Sequence, residues 1–284
     1  ISDLNLNQQE SDELDKEIKS LKDSGFDITL QLLDHHITGK VSAAKYDWYF
    51  LDDKRCATKI VFDYLLKEFK APLNDYKEWV DTVNAVDIWL ENEKENFEFG
   101  KVLMSMVTKA REINSILFNS LDRDFKFYLL KNSIGFLSLE NAPIVLDNSV
   151  HSLKKEFLKD GFDDTLDNLS ASYLVKSLDK IKDDLTVYYN GQKGLMTYCL
   201  GAISIPANSF LRANSDYDFF IDVGRKGNAS FRADGKLDVS QLASKLGNGG
   251  GHVNASGCKF DDFIETINLQ EVRAYIQNKL NNLK

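Results

Sequence analysis

A short apolar run that ends in one acid and two histidines constrains this chain more than any other feature. Ile28 to Leu33 carries no charge, is bounded by Gly25 and Gly39, and reads as a short buried strand. Asp34-His35-His36 follows it at once. In an open α/β sheet, ligands gather at the carboxyl ends of the strands. Neighbours on an extended chain face opposite ways, so both imidazoles cannot enter the core. A lone buried His is more often a satisfied core residue, but two of the four His in the chain stand here beside an acid. That donor set suits a divalent cation or a phosphate.

The neighbouring segments supply a sheet for such a strand. Ile1 to Asn7 reads as the end of a strand and its loop, with Asp3 at the carboxyl end and the strand already in progress at Ile1. Gln8 to Lys22 has Leu14, Ile18 and Leu21 on one helical face, with Gly25 as its stop. Strand, helix, strand in that order predicts a right-handed parallel unit. Beyond a loop with Trp48, Tyr49 and Phe50, Cys56 to Phe69 reads as a helix that Asp52 or Asp53 could cap. Asp75 to Trp89 reads as the next helix and carries Asp87 near its end, flanked by apolar residues. Phe97 to about Lys182 is helix-rich, and His151 reads as a surface residue.

From Leu185 the texture changes to hairpins. Thr186–Tyr189 and Gly194–Leu200 flank an Asn190-Gly191 turn. Tyr217–Val223 and Ala229–Arg232 make a second pair, and Asp238 caps a helix that Gly247 stops. Asp261 to Leu283 closes the chain with a helical pattern. The expected domains are therefore 1–182 and 183–284. Between the last two helices lies Gly249-Gly250-Gly251-His252. Consecutive glycines let backbone N–H groups form one concave surface that a ligand can approach closely. Arg232, at a strand end, has a planar fork that suits phosphate oxygens. The competing reading is a flexible linker and a surface Arg.

Composition narrows the partners. A net charge of −9 argues against tight binding to long duplex nucleic acid, which needs many Lys and Arg contacts. A small anionic substrate on a local positive site stays open. No apolar run reaches the ~18 residues of a membrane span, and no signal-peptide pattern opens the chain. Cys56, Cys199 and Cys258 are scattered and odd in number, which reads as three reduced thiols and a cytoplasmic location.

Asp34-His35-His36 in the first half and Gly249-Gly250-Gly251-His252 in the second together resemble the DHH family of phosphoesterases with its DHH-associated C-terminal domain. Ser230-Phe231-Arg232 before the glycines and Asn254-Ala255-Ser256-Gly257 after them match as well. The resemblance implies an α/β fold: a parallel-sheet domain, a helical connection, and a smaller mixed-sheet α/β domain, with the active site in the cleft between the domains. It implies two divalent metals, usually manganese, with magnesium or cobalt as substitutes. By resemblance Asp3, His35 and Asp87 are metal ligands, with Asp81 a less favoured choice than Asp87. His36 faces the phosphate and Asp34 supports the pair, so both are expected in the catalytic machinery. Arg232, Gly249, Gly250, Gly251 and His252 are expected to bind substrate. The family's first acid-rich motif has no match, and is expected upstream of Ile1.

Within that family, the absence of a membrane or nucleic-acid module favours the short-oligonucleotide branch. The expectation is a manganese-dependent phosphodiesterase, exonuclease-like, cleaving short single-stranded oligonucleotides or linear dinucleotides by in-line attack of water. A cyclic-dinucleotide or nucleotide phosphatase, and a non-catalytic nucleotide-binding module, stay open as alternatives. So does a homodimer.

Overall fold

The computed structural model describes residues 1–283 of the chain. Two compact units account for these residues, one of residues 1–109 with 130–150, the other of residues 110–129 with 151 onward.

In the first unit, α1 (Gln8–Asp23) begins at a capping box in which the Asn7 side chain accepts from the Glu10 N–H and Glu10 reaches back to the Asn7 N–H. It leads to β1 (Leu32–Asp34), α2 (Lys40–Lys45) and β2 (Tyr49–Leu51). β1 and β2 pair in parallel, Asp34 opposite Leu51. On the other side of β1, Ser2 forms a parallel bridge to Leu33, and the Asp3 N–H donates to the Leu33 carbonyl at 3.1 Å. Three chain segments thus run side by side and end together. The strand is shorter and later than its apolar run: Ile28 to Gln31 stays irregular, because parallel partners exist only from Leu32 to Asp34. Leu32, Leu33 and Asp34 are all buried.

α3 (Ala57–Phe69) follows, capped by the Cys56 thiol rather than by Asp52 or Asp53. Asp52 instead accepts from the Lys54 N–H and from Arg55 Nε, at 2.9 and 2.7 Å. α4 (Lys77–Asp87) starts after a 3-10 turn over Asn74–Tyr76 and ends two residues before the expected Trp89. Trp89 takes the left-handed conformation, φ 59°, and the Leu90 N–H closes back on the Ala85 carbonyl at 2.7 Å. That is a Schellman-type stop, with Trp where Gly is usual. α5 (Lys94–Thr108) packs along α4. Two more helices, α6 (Asn119–Ser133) and α7 (Ala142–Leu158), contribute to both units.

The second unit continues with α8 (Leu166–Asp179) and the short α9 (Lys182–Leu185). A six-stranded sheet follows: β3 (Thr186–Tyr189), β4 (Gln192–Tyr198), β5 (Phe219–Val223), β6 (Asn228–Ala233), β7 (Gly250–His252) and β8 (Ala255–Lys259). Spatial order is β3-β4-β5-β6-β8-β7, with only β4 and β5 parallel. α10 (Ser204–Ala213), α11 (Val239–Leu246) and α12 (Leu269–Asn281) pack against it. Asn190 and Gly191, both at positive φ, make the tight turn of the first hairpin. β5 reads Phe-Phe-Ile-Asp-Val and is buried throughout, as the inner strand of a covered sheet must be. The closing helix starts at Leu269, because Asn268 caps it there by accepting from the Gln270 N–H. No helix among the described residues is long and apolar enough to cross a membrane.

Candidate active site

The parallel register of the first unit brings the expected metal ligands together. Asp3 ends one segment, and Asp34-His35-His36 ends the strand beside it. His35 Nε2 lies 3.3 Å from Asp3 Oδ1 and 3.6 Å from Asp87 Oδ2. One ligand atom from each of Asp3, His35 and His36 lies within 4.8 Å of the others. Asp87 arrives from the C-terminal end of α4. That helix is tied to the start of α3 by a buried bond, Cys56 N–H to Asn84 Oδ1, at 2.9 Å. Asp81, six residues earlier and so on another face of the helix, enters ion pairs with Lys59 and Lys77.

Behind these groups is a buried support. Asp34 is fully buried; its Oδ1 pairs with His36 Nδ1 at 2.7 Å, and its Oδ2 accepts from the Tyr49 hydroxyl at 2.8 Å. Burial pushes the Asp34 carboxyl up, but hydrogen bonds from His36, Tyr49 and the His35 backbone outweigh it and hold it below the usual range. Hydrogen bonding to Asp34 raises His36, against the opposing effect of burial. Burial, then the same carboxylate, push Tyr49 up to about 12, so its proton stays in place. With Nδ1 engaged, Nε2 is the nitrogen His36 has left for a ligand, the usual outcome of a carboxylate–imidazole pair beside a metal. Tyr49 is a site residue that the sequence places in a loop. It is one of three consecutive aromatics with Trp48 and Phe50, and it lies on a strand of three residues, too short for any periodicity to single it out.

The donor set fits a divalent cation. Donors at right angles around an ion with bonds of ~2.1 Å stand ~3 Å apart, close to the separations seen here. At 3.6 Å, His35 and Asp87 are too far apart for a hydrogen bond. Carboxylates with imidazole suit manganese, magnesium or cobalt better than a thiolate-seeking metal. Asp3 holds φ 54°, a left-handed conformation that Asp tolerates better than most residues. Such outliers cluster where a site over-determines the backbone.

In the second unit, the strand register carries the argument. Arg232 on β6 and His252 on β7 both pair with Ala255 on β8, so the three form one row across the sheet. Paired residues share a face, and strands lie ~4.8 Å apart, so the Arg and His stand ~10 Å apart over a methyl group. Arg232 donates from Nη2 to Ser204 Oγ at 3.0 Å and from Nη1 to the Phe231 carbonyl at 2.8 Å. The glycines are not the free loop that their composition suggests. Gly250–His252 is extended and pairs with Ala255–Gly257, because those small residues offer an antiparallel partner. β7 is one of the sheet's two outer strands and is exposed along its length. His151 is exposed on α7.

Known proteins are similar to this chain over almost its whole length. Residues 201–282 match the model of the DHHA1 domain. The chain is 42% identical over 287 residues to a Helicobacter pylori protein named 3′,5′-cyclic-nucleotide phosphodiesterase, covering 99% of this chain and 82% of that protein. It is 24% identical over 305 residues to oligoribonuclease NrnB of Bacillus subtilis, covering 100% of this chain and 66% of that protein. A crystal structure of an uncharacterized protein from Helicobacter pylori G27 superposes with a TM-score of 0.85 at 42% identity, over 99% of this chain and 81% of that one. Proteins of this kind generally depend on divalent metals. The chain belongs to the DHH family of phosphoesterases, hydrolases of phosphodiester bonds whose C-terminal part is a DHHA1 domain.

Proposed function

We propose that this protein is a manganese-dependent phosphodiesterase of small nucleotides. The carrying observation is the convergence of Asp3, His35 and His36 at the ends of neighbouring parallel segments with Asp87 at the C-terminal end of α4, and with Asp34 and Tyr49 buried behind them. Asp3, His35 and Asp87 would hold the metal, and His36 would face the phosphate. When bound, the metal supplies charge neutralisation at the phosphate and an activated water. Asp34 fixes the imidazole of His36, so that Nε2 meets a phosphate oxygen without reorienting. In the second unit, Arg232 and His252 are the groups suited to phosphate oxygens, and the bare backbone at Gly250 leaves a substrate room there. Water adds in line to phosphorus, one P–O ester bond breaks, and a proton from the water ends on the leaving oxygen.

Between substrates, the 42% identity across 99% of the chain favours a 3′,5′-cyclic nucleotide. Short oligonucleotides are the second reading, favoured by the relative named an oligoribonuclease. Both present few phosphates, which suits a chain of net charge −9. The test offers the protein, with manganese, a 3′,5′-cyclic nucleotide, an RNA dinucleotide and a longer single strand. Fastest opening of the cyclic ester supports the first reading. Fastest release of mononucleotide from the dinucleotide replaces it with the second. Hydrolysis of none of them with manganese, magnesium or cobalt would refute the phosphodiesterase assignment.

A further inference from the structure

A cavity of about 430 Å³ lies within the second unit, beside Arg232 but outside the row that Arg232 shares with His252. Its volume is in the range of small-molecule sites. Ser204, which accepts from Arg232 Nη2 at 3.0 Å, is part of its wall. Leu174, Leu200, Ala202 and Ile205 supply flat apolar surface. Arg111, Glu112 and Asp167 supply charge.

These polar groups are not used up by the fold. Arg111 and Asp167 are exposed, and no hydrogen bond or ion pair among the described residues engages either. Glu112 pairs through Oε1 with Lys154 at 2.7 Å, yet its Oε2 is buried with no hydrogen-bond partner. A buried carboxylate oxygen without a donor is costly, and a ligand N–H would satisfy it. The wall itself is held firmly. Asp222, buried on β5, accepts from the Leu200 and Gly201 N–H groups at 2.9 Å each and from the Thr197 hydroxyl at 2.9 Å. Asn114 Nδ2 donates to the Cys199 carbonyl at 2.7 Å. The loop that presents Leu200 and Ala202 is therefore preorganised.

We propose that this cavity is a nucleobase pocket. A nucleobase has two apolar faces and an edge that carries both N–H donors and ring acceptors. The apolar wall takes the faces, Arg111 donates to the acceptors, and Glu112 Oε2 and Asp167 accept from the donors. The phosphate of the same nucleotide lies on Arg232, joined to the pocket through Ser204. The pocket therefore selects nucleotides over other phosphate esters, an inference that rests on the nucleotide reading above.

The test is calorimetric titration with a nucleoside 5′-monophosphate and with ribose 5-phosphate, which keeps sugar and phosphate but lacks the base. Alongside the wild type stand Arg111→Ala and Ala202→Trp, the second chosen because Ala202 is exposed and a large ring there fills the cavity without entering the core. Wild type should bind the nucleotide at least tenfold more tightly than ribose 5-phosphate. Both variants should lose most of that margin while binding ribose 5-phosphate as before. Equal affinity for the two ligands in the wild type, or an undiminished margin in both variants, overturns the pocket while leaving phosphodiesterase turnover intact. Absence of any binding together with absence of turnover overturns the nucleotide reading, and the pocket with it.

Discussion

Three consecutive glycines look alike in the chain and are not alike in the fold. A methyl group on Gly249 would meet Cys258 Cβ and the Gly257 carbonyl oxygen, both at 2.5 Å. One on Gly251 would meet the Ala255 carbonyl at 2.6 Å, on a backbone already at φ 144°. Gly250 would meet nothing within 4 Å. The fold therefore demands Gly249 and Gly251 and makes no demand on Gly250, whose bare backbone faces open space on an exposed strand. Gly249→Ala and Gly251→Ala should each destabilise the second unit by about 1–3 kcal/mol, the usual cost of overpacking. Gly250→Ala should unfold within about 0.5 kcal/mol of wild type in urea, yet raise KM for the substrate severalfold. Unchanged KM in a stable Gly250→Ala protein would remove that glycine from the substrate site. The same residue-level distinction separates Asp87 from Asp81: six residues, about 1.7 turns of helix, put the first beside His35 and the second against two lysines.

At the scale of single elements, the loop between β4 and α10 depends on one buried carboxylate. Burial drives the Asp222 carboxyl above its usual range, and hydrogen bonds from Gly201, Leu200 and Thr197 only partly draw it back. Its folded pKa is thus above its unfolded value of ~3.9. The stability it contributes is complete below that unfolded value and declines as pH rises through the folded one. In Asp222→Asn, an amide N–H faces a donor that was satisfied, at a cost of about 1–3 kcal/mol. The stability advantage of wild type over this variant should shrink as pH rises above about 4 in urea melts. A constant difference over that range would show that Asp222 titrates normally. Elements also explain where the periodicity of the chain misleads. β1 is set by the partners on either side of it rather than by the length of its apolar run, and α4 ends at a left-handed Trp89 that no residue preference would nominate.

For the whole molecule, metal binding and folding are linked. A cation held by Asp3, His35 and Asp87 binds only the folded first unit, and at a hundredfold excess over its Kd it stabilises by about 2.7 kcal/mol. Manganese should raise the unfolding temperature of that unit by roughly 5–10 °C in scanning calorimetry, EDTA should reverse the shift, and His35→Ala should lose most of it. An equal shift in His35→Ala would place the metal elsewhere. Much of this was written in the chain itself. The abrupt passage from apolar to Asp-His-His, the Gly-Gly-Gly-His run and the hairpin spacing of the last hundred residues determined the fold class, the mixed sheet and the family, because each is a local pattern with a local physical cause. Asp3, Arg232 and Asp87 could be nominated, Asp87 ahead of Asp81 by resemblance and by its apolar flanks, but the chain alone does not say which residues they stand beside. Only the tertiary structure put Asp87 beside His35 and Asp81 against two lysines, and it alone decided the burial of Tyr49 behind Asp34, the row of Arg232, Ala255 and His252, and the cavity beside Ser204. Each joins residues far apart in sequence through strand register and helix packing, and register is a property of pairs of segments that neither segment carries alone.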